Sequence, residues 1–102
     1  MKVGLHTRLK PGMEEPYERA HGAVWPELLE AIRRAGVREW VIFRDGLDLF
    51  HCIDCDDYDA AIAELAALPV NRRWQAEMAP MMEVAHDYSG GGGDRLPVVW
   101  EL

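Results

Sequence analysis

A chain of 102 residues, 49% of them hydrophobic, with 18 acidic against 11 basic side chains and a formal net charge of -7, belongs to the ordinary globular class and not to the disordered one. Its length fits a single domain, residues 1–102, that buries somewhat over about 60% of the surface exposed by the unfolded chain. The acidic balance excludes nucleic acid and anionic membrane as expected partners, because such a surface repels phosphate.

In chain order, residues 2 to 9 alternate Val3, Leu5, Thr7 and Leu9 with Gly4, His6 and Arg8, which predicts a first strand. The charged and polar groups inside this start leave no continuous apolar run for a signal peptide or a membrane span, so a soluble, cytoplasmic chain is expected. Lys10-Pro11-Gly12 then turns the chain, and Glu14 and Glu15 stand in the first helical turn, where the macrodipole favours them. A first helix is predicted to about Ala35, with Pro26 kinking it or splitting it after Trp25, and Gly36 ending it. Along it Tyr17, His21 and Trp25 recur every four residues, on one face with Val24, Leu28 and Ile32. An imidazole in such a stripe is either a satisfied structural histidine or a proton-transfer group at the mouth of a pocket.

Residues 37 to 44 and 47 to 55 are rich in β-branched and aromatic types and flank Asp45-Gly46, which predicts an antiparallel hairpin. Trp40, Ile42 and Arg44 alternate there with Val41 and Phe43, so Trp40 and Phe43 face opposite ways unless a bulge intervenes. His51 alternates with Phe50 and Cys52. Cys52 and Cys55 form a C-x-x-C, but three apart on a strand they point to opposite faces, and His51 is the only nearby third ligand; neither a metal nor a redox centre is expected. Asp56 or Asp57 caps a second helix over residues 58 to 68, with Tyr58, Ala61, Ile62, Leu65 and Leu68 as its buried stripe. Pro69 interrupts it, and a third helical piece covers about 70 to 80.

That piece carries Asn71-Arg72-Arg73-Trp74-Gln75, an amide, two guanidinium groups and an indole together. The combination suits a sugar, since an aromatic ring stacks on C–H faces and a guanidinium fork donates to hydroxyls. The plainer alternative is a Trp anchor with two solvated arginines. A fourth strand is predicted over 82 to 88. Residues 89 to 95 read as a flexible glycine-rich connector, and 96 to 102 as a terminal strand for a sheet edge of this chain or of a partner.

The order β-α-β-β-α-β is the ferredoxin-like plait, an α+β fold whose four-stranded antiparallel sheet is covered by helices on one face, here with an extra C-terminal strand. The uncovered face would be a dimer interface or a pocket. Closing a pocket in so small a chain calls for a second subunit, so a homodimer is expected. No nucleophile elbow, phosphate-binding glycine loop or dinucleotide fingerprint is present.

Tyr17-Glu18-Arg19-Ala20-His21 followed by Trp25-Pro26-Glu27-Leu28 resembles the helix signature Y-x-x-x-H-x-x-x-W-P-E-L of L-rhamnose mutarotases. Trp40-Val41-Ile42-Phe43-Arg44-Asp45, Leu49-Phe50, Arg73-Trp74 with Met78 downstream, and the terminal Val-Val-Trp-Glu-Leu support it. The resemblance covers nearly the whole chain. It implies a dimeric α/β plait without a cofactor and a monosaccharide substrate, with His21 as the acid/base and Tyr17 and Trp74 lining the pocket. Trp40 and Arg73 join them as candidate sugar contacts. Typical members of that family have Tyr where Trp40 and Phe43 stand, a second Trp at Gln75 and Tyr at Glu77. The competing expectations are a cofactor-free or haem-assisted monooxygenase or cyclase on the same plait, with His21 or His51 as base and Trp25, Trp40 and Trp74 stacking on an aromatic substrate, and a non-catalytic binding module.

Overall fold

In the computed structural model, which describes residues 1–102, the first alternation becomes β1 (Lys2–Leu9), with Val3, Leu5, Thr7 and Leu9 buried on one face. The expected long helix is two helices, α1 (Glu14–His21) and α2 (Pro26–Arg34). A residue before proline is pushed out of helical geometry, and Trp25 is accordingly extended at φ -60° and ψ 132°. Pro26 restarts the chain at the position where a missing N–H is harmless. The consequence for function is that His21 is the last residue of α1 and Trp25 leaves its stripe.

Gly36, at φ +97°, closes α2 in the left-handed conformation that glycine adopts without penalty. The hairpin follows as β2 (Val37–Asp45) and β3 (Asp48–Cys55), with Asp45 opposite Asp48 and Gly46 at φ +61° in the two-residue loop. Asp57 is the residue that caps α3 (Tyr58–Ala67), accepting from the Ala60 N–H at 3.1 Å. Leu68, extended before Pro69, separates α3 from α4 (Pro69–Met78). A 3-10 turn, Ala79–Met81, leads to β4 (Met82–Val84), and β5 (Arg95–Leu96) comes last.

The strands run β2-β3-β1-β4, every pair antiparallel, with β5 also on β1. This is the ferredoxin-like plait. The helices cover the face that carries Leu5, Leu9, Leu49 and Ile53, and beneath them the apolar interior divides into two clusters. One gathers Leu9, Tyr17, Leu28, Leu65 and Trp74, and the other Val3, Leu5, Ile53, Tyr58 and Ile62. The other sheet face is open and carries Val41, Phe43, Phe50, Val84 and Leu96, all exposed.

Two expectations, both of strand length, are corrected. The fourth strand is three residues long instead of seven, because the free edge of β1 is shared: Arg8 and Leu9 pair with β4, while Gly4 and Leu5 pair with β5. A bulge between Arg8 and Leu9 also sends Met82 under the helices and Val84 to the open face, which breaks the alternation that predicted a longer strand. The terminal strand is only β5, and Val98, Val99 and Trp100 beyond it are exposed. Along the glycine-rich connector Asp87 accepts from the N–H groups of Ser89 and Gly93, and buried Asp94 accepts from that of Asp87. Cys52 is exposed and Cys55 buried, on opposite faces as strand parity requires.

Candidate active site

Between the sheet and the helices lies a cavity of about 660 Å³, inside the ~300–1,000 Å³ range of small-molecule sites. It is on the covered side of the sheet, not on the open face. Tyr17 and His21 from α1, Trp40 from β2 and Trp74 from α4 all line it. Four of the five sequence candidates therefore meet in one place.

The imidazole of His21 sits where the end of α1 meets this cavity. Its Nδ1 lies 3.0 Å from the carbonyl oxygen of Tyr17, which can only accept, so Nδ1 carries the proton and Nε2 the lone pair. Nε2 has no partner in the chain and is not sealed from solvent. The ring stacks on Tyr17 at 4.1 Å between centroids and meets the edge of Trp74 at 5.4 Å. Burial lowers its pKa below the ordinary 6.5, opposed by the bond to Tyr17, so the neutral form is the resting one near pH 7. The phenol of Tyr17 is pushed up to about 12 by burial and stays a protonated donor, with no partner for its hydroxyl inside the chain. His21 and Tyr17 also border a shallower depression of about 320 Å³ with Glu18 and Arg44, which are paired at 2.7 Å.

Opposite this pair, the sheet supplies a floor that the sequence only hinted at. A bulge between Val37 and Glu39 lets Val37 and Trp40, three residues apart, both turn inward, while Phe43 goes to the open face at 61% exposure. Trp40 donates its indole N–H to Nδ1 of His51 at 3.0 Å, and Nε2 of His51 lies 2.9 Å from Oγ1 of Thr7. A hydrogen-bonded row of side chains thus crosses β2, β3 and β1.

His86 and Tyr88 complete the wall from the irregular stretch after β4, with ring centroids 4.1 Å apart. The Nε2 of His86 is 3.2 Å from the Tyr58 hydroxyl and 3.9 Å from Asp94 Oδ2. Its Nδ1 is the one buried side-chain polar atom without a partner. Burial drives both His51 and His86 down to about 4, His86 contributing to the fall of His51 and Asp94 opposing it.

Arg73 is the candidate that fails. It does not line the cavity; its guanidinium reaches Glu27 at 3.4 Å and its side chain is 59% exposed. Its neighbours Asn71, Arg72 and Gln75 do line it, Gln75 donating to Asn71 Oδ1 at 3.3 Å and Tyr88 Oη at 3.5 Å. Helical rotation decides this: at about 100° per residue Asn71, Arg72, Trp74, Gln75 and Met78 fall within one arc of α4 that faces the cavity, and Arg73 falls on the side opposite its centre. Trp25, expected beside His21, instead packs edge-on behind Trp74 at 5.1 Å. Thr7, His86 and Tyr88 were missed, although a threonine inside the apolar stripe of β1 is itself a signal of a buried polar partner.

Fold and site together define a small plait protein with a partly apolar interlayer cavity and one accessible neutral imidazole on its wall, the equipment of a proton-transfer enzyme acting on a small molecule. A family profile described as L-rhamnose mutarotase matches residues 2–102. An L-rhamnose mutarotase of Paraburkholderia xenovorans is 41% identical over 89 residues, covering 85% of this chain and 82% of that one. Another, of Burkholderia orbicola, is 40% identical over 87 residues, or 83% of each chain. The chain belongs to the L-rhamnose mutarotase family and is an isomerase of that class.

Solved structures agree. A crystal structure of an L-rhamnose mutarotase from Formosa agariphila matches all of this chain and 98% of its own, with a TM-score of 0.82 and 26% identity. The tetracenomycin F2 cyclase of Streptomyces glaucescens matches at 0.74 over all of this chain and 96% of its own; with 19% identity that likeness is one of fold alone. No helix is long and apolar enough to cross a membrane.

Proposed function

We propose that this chain interconverts the α and β anomers of L-rhamnose, with His21 as the proton-transfer group. The observation that carries the reading is the imidazole itself: Nδ1 is tied to the Tyr17 carbonyl, and Nε2 is left as a free lone pair beside a cavity. Ring opening requires a proton to leave the anomeric hydroxyl and one to reach the ring oxygen as the bond between that oxygen and the anomeric carbon breaks. Both oxygens are bonded to the same carbon, so a single nitrogen can accept the first proton and return it at the second position. The carbonyl then rotates and the steps reverse. Tyr17, held protonated, donates a hydrogen bond where negative charge builds on oxygen, and Trp40 and Trp74 supply ring surface to the C–H faces of the sugar.

Homodimerisation through the open sheet face is part of the same proposal. Val41, Phe43, Phe50, Val84 and Leu96 stand on that one face by register and are exposed, beside the polar group His6, Arg8 and Asp48 on the same face; several large apolar side chains exposed on one face support an interface there. Sedimentation of the chain is expected to give twice its 11.6 kDa mass, and Phe43→Asp to give the single-chain mass. The two unpaired cysteines support a reducing, cytoplasmic setting.

The direct test is saturation-transfer NMR on an equilibrated L-rhamnose solution. Magnetisation is expected to pass between the α and β anomeric protons only when the protein is present, and exchange no faster than in buffer would end the proposal. Arg73→Ala provides a sharp internal check on the placement of the site, since an exposed pair with Glu27 contributes little: the sugar KM is expected to stay within about twofold of the parent. A larger rise would return Arg73 to the pocket.

A further inference from the structure

The floor of the cavity carries a histidine that the proposed chemistry does not use. His51 is buried in the sheet, and its two nitrogens face different neighbours: Nδ1 faces Trp40 Nε1 at 3.0 Å and Nε2 faces Thr7 Oγ1 at 2.9 Å. An indole N–H can only donate, so Nδ1 of His51 must accept and carries no proton. The neutral ring then holds its proton on Nε2 and donates it to Thr7. The row has one direction, Trp40 to His51 to Thr7.

We propose that His51 is a positioning residue for sugar binding, fixing the indole of Trp40 so that it presents a ring surface and no hydrogen-bond donor to the substrate. The inference rests on the sugar-isomerase reading of the cavity. Trp40 has a single polar atom, and that atom is spent on His51. The indole is held further by His51 and His86, whose ring centroids lie 6.0 Å and 5.6 Å away. What remains for a ligand is an apolar surface of fixed orientation, which stacks on the C–H side of a pyranose and leaves a hydroxyl aimed at it unsatisfied. An unanchored indole would lose rotamer freedom on each binding event and would have to bury an unpaired N–H. His51 therefore acts on affinity through Trp40 and does not touch the reacting atoms. Burial, with His86 nearby, lowers the pKa of His51 to about 4, so the ring is neutral near pH 7 and its Nδ1 is available to accept from the indole.

The test uses the geometry of amides. In place of histidine, asparagine sets its terminal atoms near the Nδ1 position and glutamine near the Nε2 position. His51→Asn keeps an acceptor for Trp40 and loses Thr7; His51→Gln keeps Thr7 and abandons Trp40. KM for L-rhamnose is expected to rise about tenfold in His51→Gln and His51→Phe with kcat changed less than about threefold, and His51→Asn to restore most of the lost affinity. A residue needed only for packing would treat Asn and Gln alike, so equal effects, or a fall in kcat at constant KM, overturn the proposal. Imidazole nitrogen NMR of the unmodified protein gives a second reading that no unstable variant can spoil: His51 is expected as the Nε2–H tautomer, free and with saturating sugar, and an Nδ1–H tautomer refutes the anchor. If the unmodified protein exchanges no anomers, the isomerase reading fails instead, and the tautomer measurement still stands by itself.

Discussion

Replacing His21 by alanine is expected to abolish protein-dependent anomer exchange while the far-UV and near-UV spectra stay those of the parent. General acid/base assistance by one positioned side chain accounts for roughly 10² to 10⁴ in rate, and no other group beside the helical wall of the cavity can take a proton near neutrality. Tyr17 is held as a phenol, both ring nitrogens of His51 are bonded in the floor, and the unpartnered Nδ1 of His86 is sealed from solvent on a ring whose pKa burial drives down to about 4. The ring is half-buried at the end of a helix, so truncation costs packing against Tyr17 and Trp74 but leaves neither cluster of the interior open. His21→Gln sharpens the result, because its amide fills similar space and has no basic lone pair. The pH profile of the parent provides a second check. Burial lowers the pKa of His21 below 6.5, and the base must be neutral, so kcat/KM is expected flat at pH 7 and to fall only as pH drops below 6.5. A variant with parental rates, or an acid limb centred above 6.5, would remove His21 from the mechanism.

The order of elements is legible in the sequence because its punctuation is local. Lys10-Pro11-Gly12, Pro26, Gly36, Asp45-Gly46, Asp57 and Pro69 each act within a few residues, and each marks a boundary that the structure keeps. His21 and Tyr17 are legible for the same reason, since four-residue spacing inside a single helix requires no tertiary knowledge. What is not local is not legible. The inward turn of Trp40 depends on a bulge at Val37 and Glu39 whose cause lies in the pairing with β3, and the short β4 depends on β5 taking the other part of the β1 edge.

The histidine floor belongs to this second kind. Thr7, Trp40 and His51 are far apart in sequence and become neighbours only when three strands pair in one register. His86 reads as a strand residue by alternation, yet it lies in a stretch that leaves the sheet to face the cavity. Arg73 fails for a simpler reason: a motif names a segment, and a helix shows a cavity only one side of it. A sequence can therefore nominate the helix of the proposed proton-transfer group directly, whereas the cavity wall opposite it emerges from strand register.

That wall also sets the second large effect, on stability. His51 and His86 stand at about 4 in the folded chain against an ordinary 6.5, because burial penalises their charged forms. Between these values the unfolded chain binds protons that the folded chain refuses, so stability is full above pH 6.5 and falls as pH drops toward 4. The gap is worth roughly 3 kcal/mol for each ring, and the two rings lie 6.2 Å apart, so charging both is harder than charging either alone. Against the roughly 5 to 15 kcal/mol of a typical domain, this is a large share of the stability to lose in mild acid. The carboxylates act elsewhere on the scale: Asp48, Asp54 and Asp87 are held below 3.8 chiefly by hydrogen bonds, to His6 and Arg8, to Arg38, and to Ser89 and Gly93, and their contribution is lost only as pH falls through those lower values. Urea melts at constant protein concentration, stepped from pH 7.5 to 4.5, are expected to show the midpoint falling steeply below pH 6.5, and the double variant His51→Phe with His86→Phe to flatten that slope whatever its stability at pH 7.5. A midpoint that holds steady down to pH 4.5 in the parent, or an equal slope in the double variant, would show that these two rings do not control the acid limit of the fold.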